Sequence, residues 1–236
     1  MRRRALLGST AGLAAATVVA PSAAVAAPPA WSAQHPLRVQ IVMFDGVEEQ
    51  DFIGPYEVFS FAGRMSGGAI QVRYVTAGEP RPVTASFGTV VSVAHGWSPA
   101  VADLLVVPGG GFARPDGPGV WAEIKSDVLP RRLAAAPRDG LVVTSLCTGA
   151  MLLAAAGLTN GRPCTTHTNA KQELAGRGGI VKDARVVDDG DLVTAAGVTS
   201  GLELALHLVR RELGADLAVR TENALEYQAR GTVWTR

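Results

Sequence analysis

The apolar positions of this chain fall into short strand-like runs and longer helix-spaced segments, divided by Gly, Pro and Asp. Leu37 to Phe44, read Leu-Arg-Val-Gln-Ile-Val-Met-Phe, begins in alternation and ends continuously apolar, as a strand does when it becomes buried on both faces. Asp45-Gly46 breaks it. From about Gly54 to Gly63, Val58, Phe59 and Phe61 fit a helix lying on that strand, with Pro55 in its first turn. Strands are expected at Gln71 to Thr76 and Val90 to Val93. Leu104-Leu105-Val106-Val107 is short, wholly apolar and followed by Pro108-Gly109-Gly110-Gly111, the signature of a central strand that delivers the chain into a loop of free backbone.

A helical region is expected over roughly Val120 to Ala135, closed by Pro137 and Gly140, then a buried strand at Leu141 to Thr144 and a small-residue helix from Thr148 to Ala156. Strands follow near Arg185 to Val187 and Leu192 to Ala195, and helices at Ser200 to Leu213 and Asp216 to Tyr227. Alternating strands and helices predict an α/β fold with a mostly parallel sheet covered on both faces.

The amino terminus does not belong to that pattern. Arg2, Arg3 and Arg4 precede an apolar run from Ala5 to Ala20, too short for a comfortable membrane span, and Ala24-Val25-Ala26 fits an A-x-A cleavage site. Residues 1–26 therefore read as an export signal, of twin-arginine type by its adjacent arginines. Residues 27–36, with Pro28, Pro29 and Pro36, read as an extended lead-in, and 37–230 as a single domain. Loss of the three signal arginines turns a net charge of +1 into −2, which leaves no electrostatic footprint for nucleic acid. The reading is of an exported protein with no stable membrane association after cleavage.

The candidate chemistry lies at Ser145-Leu146-Cys147-Thr148-Gly149. A nucleophile on a sharp strand-to-helix turn is pushed clear of the sheet, and small neighbours are needed where the backbone is crowded. Here Ser145 and Gly149 take the crowded positions and Cys147 the nucleophile's. A cysteine at a helix amino terminus has its thiolate favoured by the helix dipole and by free N–H groups, which predicts a lowered pKa. The loop carrying Gly110 and Gly111, with the Thr148 N–H, is the expected oxyanion-binding backbone. The other reading of Cys147 is a small buried hydrophobe, and a bridge to Cys164 is the alternative for an exported chain, although a core of this size does not need one.

A thiol nucleophile needs a partner for its proton. His35, His95 and His207 sit in the lead-in, a loop and an apolar helix, whereas His167, in Thr165-Thr166-His167, follows the elbow helix closely and is the pocket candidate. After the first strand, Glu48 and Glu49 read as solvated turn or cap residues. Asp51 immediately precedes an apolar helix and can point back toward the crevice. No metal site or nucleotide-cofactor loop is expected: the glycine run matches neither dinucleotide nor phosphate-loop spacing.

Phe44 to Phe59, Val106 to Gly111, Thr144 to Gly149 and Thr165 to His167 together resemble the DJ-1/PfpI family. Within it the likeness is to isonitrile hydratase and the sensor-like domains of AraC-type regulators, through Ala154 to Leu158, Gly197 to Gly201 and Leu225 to Tyr227. The resemblance implies a flavodoxin-like three-layer sandwich, a homodimer, and an acid beside the elbow cysteine, whose place Asp51 takes. It implies Asp51, Cys147 and Thr148 as the working group of a hydro-lyase acting on a small-molecule isonitrile without a cofactor. Glyoxalase- or deglycase-like action on dicarbonyls, and binding without turnover, are the alternatives it leaves. Protease-like relatives carry histidine directly after the cysteine; Thr148 stands there in this chain, which disfavours peptidase activity. Thr168 stands where the hydratase-like pattern has tryptophan.

Overall fold

The computed structural model describes residues 31–236, so the proposed export signal and residues 27–30 of the lead-in lie outside the described residues. The rest of the lead-in is not detached from the fold. Trp31 packs against the core, and Ser32 and His35 close a turn on each other.

In chain order the elements are β1 (Leu37–Met43), α1 (Glu49–Met65), β2 (Ile70–Thr76), β3 (Arg81–Thr84), β4 (Val90–Val93), β5 (Leu104–Val107), α2 (Val120–Ser126), α3 (Val128–Ala134), β6 (Val142–Ser145), α4 (Gly149–Ala155), β7 (Pro163–Cys164), α5 (Lys171–Gly176), β8 (Ile180–Val181), β9 (Val186–Asp188), β10 (Leu192–Ala195), α6 (Ser200–Leu213), α7 (Ala215–Ala224) and β11 (Val233–Thr235). The central sheet runs β11-β9-β10-β6-β5-β1-β2, and only the β9–β10 pair is antiparallel. Helices α1, α6 and α7 pack together on one side of the sheet, and α2, α3 and α4 on the other. This is the expected flavodoxin-like sandwich.

The apolar runs explain the layers. Every residue of β5 and of β10 is buried, which is what a strand between two helical layers demands. On α1, Phe52, Pro55, Phe59 and Ala62 recur at helical spacing and are buried toward the sheet. Burial of a phenylalanine there stabilises by roughly 2–3 kcal/mol. Inside β1, Gln40 is fully buried and donates its amide to Ser98 O at 2.8 Å, which answers part of its desolvation.

Two expectations are corrected. The helix expected to begin near Gly54 begins at Glu49, so Asp51 lies within its first turn and Pro55 in its interior, where it takes away the bond that Asp51 O would have received. The single helix expected over Val120 to Ala135 is broken at Asp127, whose φ is +59°, because Pro130 has no N–H to give to the carbonyl of Ser126. Short β3, β7, β8 and β11 and helix α5 were not anticipated. Cys147 and Cys164 are both free thiols.

Candidate active site

Because β1, β5, β6 and β10 are parallel, the loops at their carboxyl ends gather at one edge of the sheet. The chain leaves β1 toward β2 on one side and returns at β5 on the other, so the direction of strand order reverses between β1 and β5, where such sheets open a crevice. Four loops meet there: the start of α1 with Asp51, the glycine run after β5, the elbow after β6, and the turn from β10 into α6.

The elbow is a backbone feature before it is a chemical one. Cys147 has φ +52°, the left-handed region that costs a non-glycine residue about 1–3 kcal/mol unless its surroundings enforce it. They do: its N–H donates to Ala196 O at 2.7 Å, and its carbonyl accepts from Thr166 Oγ1 at 2.7 Å and from His167 N at 3.3 Å. The next residue but one must be glycine. A Cβ on Gly149 would lie 2.6 Å from Pro108 O and nearer still to Val107 O, so α4 can start against the β5 loop only without one.

Asp51 is completely buried, and its Oδ2 accepts the Gly109 N–H at 2.8 Å. Its Oδ1 has no hydrogen-bond partner among the described residues. Burial raises its pKa to about 7; the Gly109 N–H opposes that rise, the charge of Glu48 adds to it, and the Cys147 thiol lowers it again. Cys147 is pushed up to about 12, first by burial and then by the Asp51 charge, against the stabilising N–H groups of Val198 and Thr148. Asp51 and Cys147 thus perturb one another without a hydrogen bond of ordinary geometry between them.

The lowered thiol pKa anticipated from the helix dipole is therefore reversed. α4 is only seven residues long, and burial beside a carboxylate outweighs its amino-terminal field. At neutral pH the pair holds a protonated thiol and a half-ionised acid, so the thiol's proton has a receiver beside it.

Thr148 fills a double role. Its N–H lies toward the Cys147 sulfur, while its Oγ1 accepts the Gly110 N–H at 3.0 Å. The Gly110 N–H, expected to be free for an oxyanion, is thus already engaged. Gly110, at φ +141°, positions the loop: a Cβ there would meet Glu48 N at 2.6 Å. The Gly111 N–H has no acceptor among the described residues and lines the cavity with Thr148. His167 also lines it, but its ring bonds only the Asn169 N–H, accepted at Nδ1 at 3.1 Å, and reaches neither Cys147 nor Asp51.

Two site residues escaped sequence reasoning. Val198, a β-branched residue at φ +30°, turns its N–H to the thiol from the β10–α6 turn. Glu48 faces the cavity with its pKa raised by burial and by Glu49. Glu48 also takes the N-cap position of α1, as one of the two readings had it, and Glu49 opens the helix with its Oε1 accepting from Phe87 N at 2.9 Å, which pins the β3–β4 turn. The cavity measures about 380 Å³, the scale of a small organic molecule. Among the described residues no three His, Cys, Asp or Glu side chains are gathered for a metal ion. His207 pairs with Asp188 at 2.7 Å, away from this cavity.

Fold and site together define an α/β sandwich protein with a cysteine on a strained elbow and a buried acid beside it. The DJ-1/PfpI family matches residues 37–211, and the chain belongs to that family. It is 35% identical over 192 residues to an isonitrile hydratase of Pseudomonas putida, covering 81% of this chain and 78% of that one. Among solved structures it is similar to a ThiJ/PfpI family protein from Pseudomonas syringae, with TM-score 0.72 and 25% identity over 90% of this chain and 83% of that one. It is also similar to an AraC family transcriptional regulator from Pseudomonas putida, with TM-score 0.69 and 26% identity over 80% of this chain and all of that one.

Proposed function

We propose that the chain is a cysteine-dependent hydratase that converts a small isonitrile to its N-substituted formamide. The observation that carries this reading is the Asp51–Cys147 pair: a neutral thiol on an elbow, beside a buried carboxyl whose pKa of about 7 lets it take and return a proton at neutral pH. In the first step Asp51 takes the thiol proton and delivers it to the isonitrile carbon as sulfur bonds to that carbon, which adds S–H across one atom and gives a thioimidate. Water then adds to the C=N bond. The tetrahedral carbon expels the thiolate, leaving the formamide, and the sulfur regains a proton. The N–H groups of Thr148 and Val198 face the sulfur where its negative charge develops.

Cys147→Ala is expected to lose turnover of an alkyl isonitrile, followed as formamide by mass spectrometry, while its circular dichroism stays that of the wild type. Formamide formation at the wild-type rate would refute the proposal. A second reading, binding without turnover, draws support from the likeness to a transcriptional regulator. Saturable binding of isonitrile to the wild type with no formamide released would favour it. We further propose that the chain is exported before it acts, which amino-terminal sequencing of the natural product tests by a start near Ala27 or at Met1.

A further inference from the structure

Phe87 stands at the tip of the β3–β4 hairpin, 80% exposed, and lines the cavity that holds Cys147. A phenyl ring so placed gives the fold little, because the area it keeps in water is area it does not bury. Its backbone is nevertheless held on several sides. Phe87 N donates to Glu49 Oε1 at 2.9 Å, Ser86 N to Val47 O at 2.8 Å, and Ser86 Oγ to Gly46 O at 2.7 Å, so the hairpin is tied to the first turn of α1 and to the loop before it. The turn itself closes through Ala85 N, which donates to Thr89 O at 2.8 Å, with Gly88 at φ +96°. The tip is therefore fixed, and what it fixes is an unburied aromatic ring beside the reactive cavity.

The rest of the cavity shows what such a ring can serve. Phe112, Ala113 and Val198 give it further apolar wall. Phe112 is set in place by its ring against Trp121, with 5.2 Å between centroids, and by the Trp121 Nε1–H, which donates to Phe112 O at 2.8 Å. The lining has one acid and one base, Glu48 and Arg114, which leave no surplus to select an ionic group. A ligand that reaches Cys147 in this space therefore gains most from apolar surface. We propose that Phe87 is a substrate-binding residue that sets specificity: its ring covers the apolar substituent of the substrate while the reactive carbon lies at Cys147, so that a bulky hydrocarbon substituent is preferred to a small one. The inference rests on the reading of Cys147 as a nucleophile, though not on hydration as the reaction.

The test compares methyl and cyclohexyl isonitrile as substrates of the wild type, Phe87→Ala, Phe87→Leu and Val90→Ala. In parallel, N-methyl- and N-cyclohexyl-iodoacetamide are compared as alkylating agents of Cys147, timed on its peptide by mass spectrometry, since Cys164 is fully buried. Val90 is the control: it is 65% exposed on the same hairpin and lies outside the cavity lining. Phe87→Ala is expected to cut the preference for the cyclohexyl compound about tenfold in both series, with the isonitrile loss falling on KM. Tenfold is ~1.4 kcal/mol, the scale of two methylenes buried against the ring. Phe87→Leu is expected to restore part of the preference, and Val90→Ala to leave it at the wild-type value. A preference lost from alkylation in Phe87→Ala, with no isonitrile turned over by the wild type, upholds the role of Phe87 and sinks hydration alone. A preference that Phe87→Ala leaves intact, or that Val90→Ala lowers as far, overturns the role of Phe87 and leaves the nucleophile standing. A Cys147 inert to both iodoacetamides in the folded protein, but reactive after denaturation, overturns the nucleophile reading and the role of Phe87 with it.

Discussion

Cys147 and Asp51 divide one problem between them. A thiol buried beside a carboxylate is hard to ionise, and burial makes the carboxylate hard to keep charged although the thiol partly relieves it, so both groups hold their protons tightly. Thr148 is tied to both through the loop, since its hydroxyl holds the Gly110 N–H while Gly109 N–H holds Asp51. Thr148→Val keeps the volume and leaves the Gly110 N–H buried without a partner. The expected loss is about 1–3 kcal/mol of stability, measured by urea titration; an unchanged midpoint would remove Thr148 from this supporting role. At this scale the sequence was only partly legible. Cys147 stood out because its neighbours Ser145 and Gly149 are what an elbow requires. Asp51 rested mainly on the family resemblance, because three acids lie within four positions and nothing in their spacing says which is buried. Val198 could not be read at all: its φ of +30° is imposed by the bonds around it and opposes its own preference.

The elbow works because two elements nearly collide. β5 delivers Val107 O and Pro108 O to the place where α4 begins, and Gly149 is the residue that lets them pass. Gly149→Ala is expected to cost roughly 3 kcal/mol as the loop and helix are forced apart, and to slow Cys147 chemistry in step, since the same displacement moves the sulfur from Asp51. A variant with wild-type thermal midpoint would show that α4 has room this account denies it. Elements buried deep in the layers were the readable ones: β5 and β10 are buried throughout, and α6 repeats buried residues at Gly201, Leu204, Ala205, Leu208 and Val209. The unread ones have a common cause. β7 and β8 are two residues long, and β3 opens with exposed Arg81 and Pro82, so neither length nor alternation marks them. The break at Asp127 is a residue effect overriding an element-scale pattern, since the apolar period continues across it while Pro130 forbids the hydrogen bond.

For the whole molecule, the buried acid is a stability cost carried for the sake of the site. Asp51 binds its proton more tightly in the folded chain, with a pKa of about 7, than in the unfolded one, whose value is near 3.8. Its favourable contribution is therefore complete below the unfolded pKa and is lost as pH rises toward 7, a difference of roughly 4 kcal/mol. Asp51→Asn retains an oxygen for the Gly109 N–H and cannot ionise. It is expected to be more stable than the wild type at pH 8, with the gain disappearing near pH 4. Equal stability of the two proteins at both pH values would mean that Asp51 is not held as described.

The central claim, that Asp51 receives the Cys147 proton, is tested most directly by the pH dependence of Cys147 alkylation with iodoacetamide in the wild type and in Asp51→Asn. The account predicts a rate that rises with a midpoint near pH 7 in the wild type, and loss of that midpoint when Asp51 can no longer ionise. A single midpoint at the ordinary thiol value of about 8.5, the same in both proteins, would contradict it.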